Sequence, residues 1–144
     1  MVANLRSCHG SRVVLPDAAP PFAVAFRGAG WTVGASHRGE APLLAVADED
    51  GYVNLVKCEE PGAVEATSRV WAHNNAVLDV AWTSNGRQLV TASGDMTCRL
   101  IDAETGKAVT TFAGHEQSVK TVCTDPRDGC TCLRRGFAWD KTCV

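Results

Sequence analysis

The chain has 144 residues, 45% of them apolar and 6% aromatic, with 14 basic side chains against 16 acidic ones and a net charge of -2. That is one domain's worth of sequence with enough apolar side chains for a core, and so near to neutral that direct binding of nucleic acid gets no support from charge. No apolar run approaches the roughly 18 to 20 residues that span a bilayer, and Met1 to Ser11 lacks the apolar stretch of a signal peptide, so a soluble, intracellular chain with no membrane partner is expected.

In chain order, residues 1–40 read as an irregular segment. Gly10, Pro16, Pro20, Pro21, Gly28, Gly30 and Gly34 punctuate it too densely for a long helix, and only PPFAVAF suggests a short strand near 22–26. From Ala41 the texture changes. Short apolar runs alternate with turn chemistry: LLAVA then DEDG, YVNLV then EEPG, VLDVAW then SNG, LVTAS then GD, TCRLI then DAETG, AVTTF then AGH. Runs this short, bounded by Gly, Asp and Asn at regular spacing, predict an all-β meander, and no window beyond Ser36 sustains a helical period.

Internal repetition decides the architecture. LAVADEDGYVNLV, beginning at Leu44, lies over LVTASGDMTCRLI, beginning at Leu89, an offset of 45 that superposes Ala47 on Ala92, Asp50 on Asp95 and Val56 on Ile101. Ala72-His73 recurs as Gly114-His115, an offset of 42 that superposes Val77 on Val119 and Val80 on Val122. In the tail, Asp140-Lys141-Thr142-Cys143 follows Asp95-Met96-Thr97-Cys98 by 45 residues, which predicts Asp140 at the same tight turn as Asp95.

These residues resemble the WD repeats that build β-propellers, about 40 to 45 residues each with a Gly-His pair, four strands and a Trp-Asp close. The resemblance implies a β-propeller fragment of about two four-stranded blades plus the start of a third, with repeats at roughly 41–71, 72–113 and 114–144. It also implies that His73, Thr91 and Asp95 form a hydrogen-bonded relay between loop and turn, with Asp102, Gly114, His115 and Asp140 as further structural positions. Ile101 stands where the closing Trp belongs, so the relay loses its indole donor and ends at Thr91.

Taken in order, PPFAVAF, LLAVADEDGYVNLV, VWAHNNAVLDVAW, QLVTASGDMTCRLIDAETGKAV and GHEQSVKTV are similar to the opening blades of the denticleless family, with WAHNNAVLDVAW the most specific piece. Members of that family are substrate receptors of cullin-4 RING ubiquitin ligases. The resemblance implies a non-catalytic nuclear protein whose partners are a ligase adaptor and ubiquitination substrates, in replication-linked or damage-linked degradation. Adaptor docking in such receptors is associated with a W-D-x-R motif, and Ile101-Asp102-Ala103-Glu104 lacks both the Trp and the Arg.

Other chemistry is weaker. Seven cysteines without a signal peptide predict thiols in a reducing compartment, and Cys130 and Cys132 stand too close for a zinc knuckle. Asp48-Glu49-Asp50 suits a solvated hairpin turn better than a metal, and Ser7, His9 and Ser11 lack the elbow of a nucleophile. No phosphate loop, cofactor site or catalytic residue is assigned. Trp71, Asn74 and Asn75 are candidate partner contacts, although a Trp in a blade is more often core. Since a propeller needs at least four blades, this length also predicts a truncated or alternatively spliced product of a longer receptor, or a partial gene model, with uncovered apolar faces. A generic WD-repeat scaffold in another assembly, or a truncated non-functional fragment, is the alternative.

Overall fold

The computed structural model describes residues 12–14, 19–27, 42–58, 63–124, 131–135 and 138–142. Among these residues every regular element is a β-strand: β1 (Arg12–Val14), β2 (Pro21–Arg27), β3 (Leu43–Asp48), β4 (Tyr52–Lys57), β5 (Ala63–Trp71), β6 (Val77–Trp82), β7 (Gln88–Ser93), β8 (Cys98–Asp102), β9 (Ala108–Phe112), β10 (Val119–Thr124), β11 (Thr131–Arg135) and β12 (Ala138–Thr142). The strands form three sheets in chain order. The first runs β2-β3-β4-β5, with β1 added parallel to the outer edge of β5; the second is β6-β7-β8-β9 and the third β10-β11-β12. Each is an antiparallel meander, the arrangement that short apolar runs and tight turns favour.

Alternation along the strands explains how the sheets stack. Side chains two apart share a face. Val77, Val80, Leu89 and Ile101 of the second sheet join Ala45, Ala47, Val53, Leu55 and Val70 of the first in one buried cluster. Their neighbours Val90, Ala92, Cys98 and Leu100 point the other way and join Val119 and Val122 of the third. The middle sheet is therefore buried on both faces.

Each blade's first strand carries the same irregularity. Pairing shifts between Pro21 and Ala23 in β2, between Val77 and Asp79 in β6, and between Val119 and Thr121 in β10. A bulge of this kind bends the strand and re-aims a side chain. In β6 the side chain concerned is Asp79. Its Oδ2 accepts the Thr121 hydroxyl at 2.6 Å and the Val122 N–H at 3.0 Å, tying the second sheet to the third. Trp82 Nε1 donates to the Ala25 carbonyl at 3.1 Å, and Thr124 Oγ1 donates to the Trp82 carbonyl at 2.9 Å, so equivalent positions of successive first strands reach back to the preceding blade.

Two placements differ from the sequence expectation. The strand expected near 22–26 runs from Pro21 to Arg27 and pairs along β3, so the boundary at residue 41 divides a sheet: the first blade draws its innermost strand from the segment read as irregular. Asp140 is not at a hairpin turn. It lies inside β12 opposite Leu133, because the third sheet follows the 42-residue offset of its first strand and not the 45-residue offset of the tail. The start of a third blade is itself present as three strands.

The outer face of the first sheet carries exposed apolar side chains. Phe22, Val24 and Phe26 are 52%, 64% and 54% exposed, whereas Val80, which occupies the place of Val24 one blade on, is 4% exposed under the first sheet. Val24 faces the side on which a preceding blade would pack.

Two outcomes follow from this packing. Leu89→Ala removes a fully buried side chain between two sheets and is expected to cost about 2 to 5 kcal/mol in chemical denaturation, while Val109→Ala, on an exposed position, stays within about 0.5 kcal/mol. Cys98 is fully buried, and burial, with the Asp95 carboxylate nearby, pushes its thiol up to about 12. Cys98 is expected to resist iodoacetamide at pH 8 in the folded chain and to be alkylated in urea, as peptide mass spectrometry would read directly.

Candidate functional site: a buried histidine relay beside an exposed tryptophan

The loop between β5 and β6 is held first by backbone. The N–H groups of Ala72 and His73 both donate to the Gly51 carbonyl, at 2.9 and 3.0 Å. Gly51 sits at φ +90, and a Cβ there would collide with the His73 carbonyl oxygen, so the turn between β3 and β4 must be glycine at this point. That clamp sends the His73 ring into the interior, where the residue is 0% exposed.

The structure brings His73, Thr91 and Asp95 together. His73 Nδ1 lies 3.0 Å from Asp95 Oδ2, and Nε2 lies 2.8 Å from Thr91 Oγ1. Burial lowers the His73 pKa despite the pull of Asp95 in the other direction, and Arg99 adds to the lowering. The ring is therefore neutral at pH 7. Nδ1–H donates to the Asp95 carboxylate, which leaves Nε2 to accept the Thr91 hydroxyl. Burial taken alone would raise the Asp95 carboxyl, but hydrogen bonds from the Thr97 hydroxyl, His73 and the Thr97 N–H together hold it below its ordinary value. The Asn74 N–H adds a longer bond to Oδ2, at 3.3 Å. Asp95 thus fastens its own turn and the facing loop at once. Ile101 is buried in the apolar cluster and offers no donor, so the relay stops at Thr91.

The other positions are placed as follows. Asp102 Oδ1 accepts both the N–H and the hydroxyl of Thr105 at 2.8 Å, bonds that hold its carboxyl below the usual range and lock the turn after β8. Gly114 sits at φ +114 with open space around it, and His115 is half-buried. By strand register Leu133 stands opposite Val122 as Thr91 stands opposite Val80, and Val46 holds the same place opposite Val24. Among the described residues the relay is complete only in the middle sheet, although the fuller Gly-His match belongs to the third. Trp71 is 50% exposed, with the Arg99 guanidinium 5.1 Å from its ring centroid. Asn74 and Asn75 are exposed beside it, and Asn75 Oδ1 accepts the Ala76 N–H at 2.7 Å. Ser7, His9, Ser11 and Cys130 lie outside the described residues.

Two carboxylates do more than sequence reasoning gave them. Asp48 is not a solvated turn residue. It is fully buried and accepts the N–H groups of Asp50 and Tyr52 and the amide of Asn54, while Glu49 and Asp50 are exposed. Asp79 was passed over. Its only signal is an acidic residue inside the apolar run VLDVAW, and the partner that explains it lies 42 residues on. No group of three or more His, Cys, Asp or Glu among the described residues could hold a metal ion. No helix among them is long and apolar enough to cross a membrane. With His73 sealed from solvent, the arrangement holds a loop in place and presents Trp71 and Asn74 at the surface, with Arg99 half-buried against the Trp71 ring.

Repeated four-stranded meanders, stacked face to face and fastened by a histidine–aspartate relay, define a WD-repeat propeller fragment. Residues 43–133 match the family described as the anaphase-promoting complex subunit 4 WD40 domain, and the chain belongs to this WD40 family. It is a WD-repeat protein close to the denticleless proteins. It is 40% identical to a denticleless protein homolog of Danio rerio over 81% of this chain and 17% of that protein. Against the Homo sapiens homolog the figure is 37% over 70% of this chain and 15% of that protein, and against homolog B of Xenopus laevis 36% over 94% and 19%. The chain thus spans less than a fifth of these relatives. A chain in the crystal structure of a mitotic checkpoint complex shares the fold, with a TM-score of 0.59 and 21% identity over 65% of this chain and 28% of that one.

The relay makes stability depend on pH in a definite direction. Because the folded His73 pKa lies below its unfolded value, the unfolded chain takes up the proton first, so the contribution is whole above about 6.5 and is lost as pH falls toward the folded value. Asp95, also depressed, adds a second loss below its ordinary 3.8. Urea denaturation at pH 7.5 and pH 5.5 is expected to show lower stability at the acid end. His73→Gln should begin about 1 to 3 kcal/mol less stable at pH 7.5 and lack the histidine part of the slope.

Proposed function

We propose that this chain is a protein-interaction module of a substrate receptor for a cullin-4 RING ubiquitin ligase, acting in replication-linked or damage-linked ubiquitination in the nucleus. The observation that carries the reading is the 36 to 40% identity to denticleless homologs over 70 to 94% of the chain. A stacked β-scaffold suits the task. Its work is to raise effective concentration, holding substrate lysines near a ligase-bound conjugating enzyme, and it needs no catalytic group of its own. The ligase adaptor and the ubiquitination substrates are its partners in this reading, Trp71, Asn74 and Asn75 its contact residues, and no cofactor is required. With a net charge of -2, an approach to chromatin would pass through a protein partner.

One feature favours a second reading. Ile101-Asp102-Ala103-Glu104 lacks the Trp and Arg of the adaptor-docking motif, and Ile101 is committed to the core between two sheets. A WD-repeat scaffold in another assembly accounts for that. Affinity capture with purified adaptor separates the two. A longer protein carrying these blades is expected to retain the adaptor, and the 144-residue chain alone to retain little. Failure of the longer protein to bind would remove the ligase reading in favour of the scaffold.

A further inference from the structure

The Trp71 edge carries a feature that the relay does not use. Arg99 sits in the middle of β8, its backbone paired with Thr91 on one side and Thr111 on the other, so its side chain leaves a rigid base. Its guanidinium lies 5.1 Å from the centroid of the half-exposed Trp71 ring. Stacking of this kind orients the cation without neutralising it. Among the described residues Arg99 makes no ion pair, and its Nε is shut away from solvent with no acceptor. The terminal guanidinium nitrogens are the ones a partner can reach, and a guanidinium fixed on an aromatic face matches a carboxylate in two parallel hydrogen bonds.

The surroundings narrow what would bind. Tyr52 pairs with Trp71 across β4 and β5, and the turn just before Tyr52 exposes Glu49 and Asp50. That turn is bonded through the Gly51 carbonyl to the loop that follows Trp71. A strongly acidic segment would meet like charge there, whereas a single carboxylate beside an apolar side chain would not. We propose that Arg99 and Trp71 form a subsite for one carboxylate-bearing side chain, flanked by an apolar residue, on a linear segment of a protein partner. The carboxylate takes the Arg99 fork and the apolar neighbour covers the exposed Trp71 ring.

The inference rests on the protein-interaction reading of the chain and names the partner chemistry at one place on it. Fluorescence anisotropy with two labelled nine-residue peptides tests it, one carrying Glu between leucines and the other Gln at the same position. The Glu peptide is expected to bind roughly tenfold tighter than its Gln twin, the scale of one charge-assisted hydrogen bond, with a preference that weakens in salt. Arg99→Gln should abolish the preference and Arg99→Lys keep part of it, both with unchanged circular dichroism, while Trp71→Ala should weaken both peptides. Equal binding of the two peptides by the unaltered chain, or an undiminished preference in Arg99→Gln, would overturn the assignment. Adaptor capture by the longer protein is independent of this result: its failure sinks the ligase reading and leaves the subsite, and loss of the Glu preference does the reverse.

Discussion

The packing of the described residues depends on two strands that each feed two cores. Along β7, Leu89 turns to the first sheet and Val90 to the third; along β8, Ile101 and Leu100 divide in the same way. The alternation is the ordinary pleat, but it imposes a strict condition. A one-residue slip in the pairing of β7 with β8 would exchange the two sets and place Thr91 and Arg99 in an apolar layer. The polar groups that look decorative are therefore register devices. Asp79 fixes the second sheet against the third, Trp82 fixes it against the first, and the relay fixes the hairpin between β7 and β8 against the loop that enters the sheet.

The first two sheets solve the same local problem by different chemistry. Each must hold the turn between its second and third strands. The second uses His73, Thr91, Asp95 and Thr97. The first has Val46 at the hydroxyl position and relies on Asp48, which gathers two backbone N–H groups and the Asn54 amide. Both arrangements close the turn with a carboxylate accepting backbone donors, the cheapest way to satisfy N–H groups that no strand partner reaches. Both turns also tie down the loop carrying Asn74 and Asn75, directly after Trp71: the first through the Gly51 carbonyl and the second through the His73 ring. Structure and surface are linked at that point.

The fold was largely legible in the sequence because alternation and turn chemistry repeat at a fixed spacing. Leu44 and Leu89, Ala47 and Ala92, Val56 and Ile101 are equivalent by both the 45-residue offset and strand register. The failures have physical causes. A strand near 22–26 is expected, but the dense Pro and Gly punctuation around it reads as a separate segment, and only its ladder with β3 joins it to the first blade. The likeness of Asp140-Lys141-Thr142-Cys143 to the turn at Asp95 misled because a four-residue match is local, whereas register is set by the whole ladder from Val119 onward. The relay residues were found through resemblance, since nothing in a lone histidine announces that its ring will be buried. Arg99 and Asp79 escaped for a related reason. A charged residue within an apolar run reads as a solvated face until the opposing sheet supplies its partner.

The double burial of the middle sheet has a consequence for how the chain comes apart. Stability in stacked repeats is a sum of unit terms and nearest-neighbour terms. The second sheet carries two neighbour terms and each flanking sheet one. Opening from either end sacrifices a single interface, while opening the centre sacrifices both. Amide protons in β7 and β8 should then exchange through the rarest openings of the molecule and those of the flanking sheets through commoner ones, so that protection against solvent falls away on both sides of a central maximum.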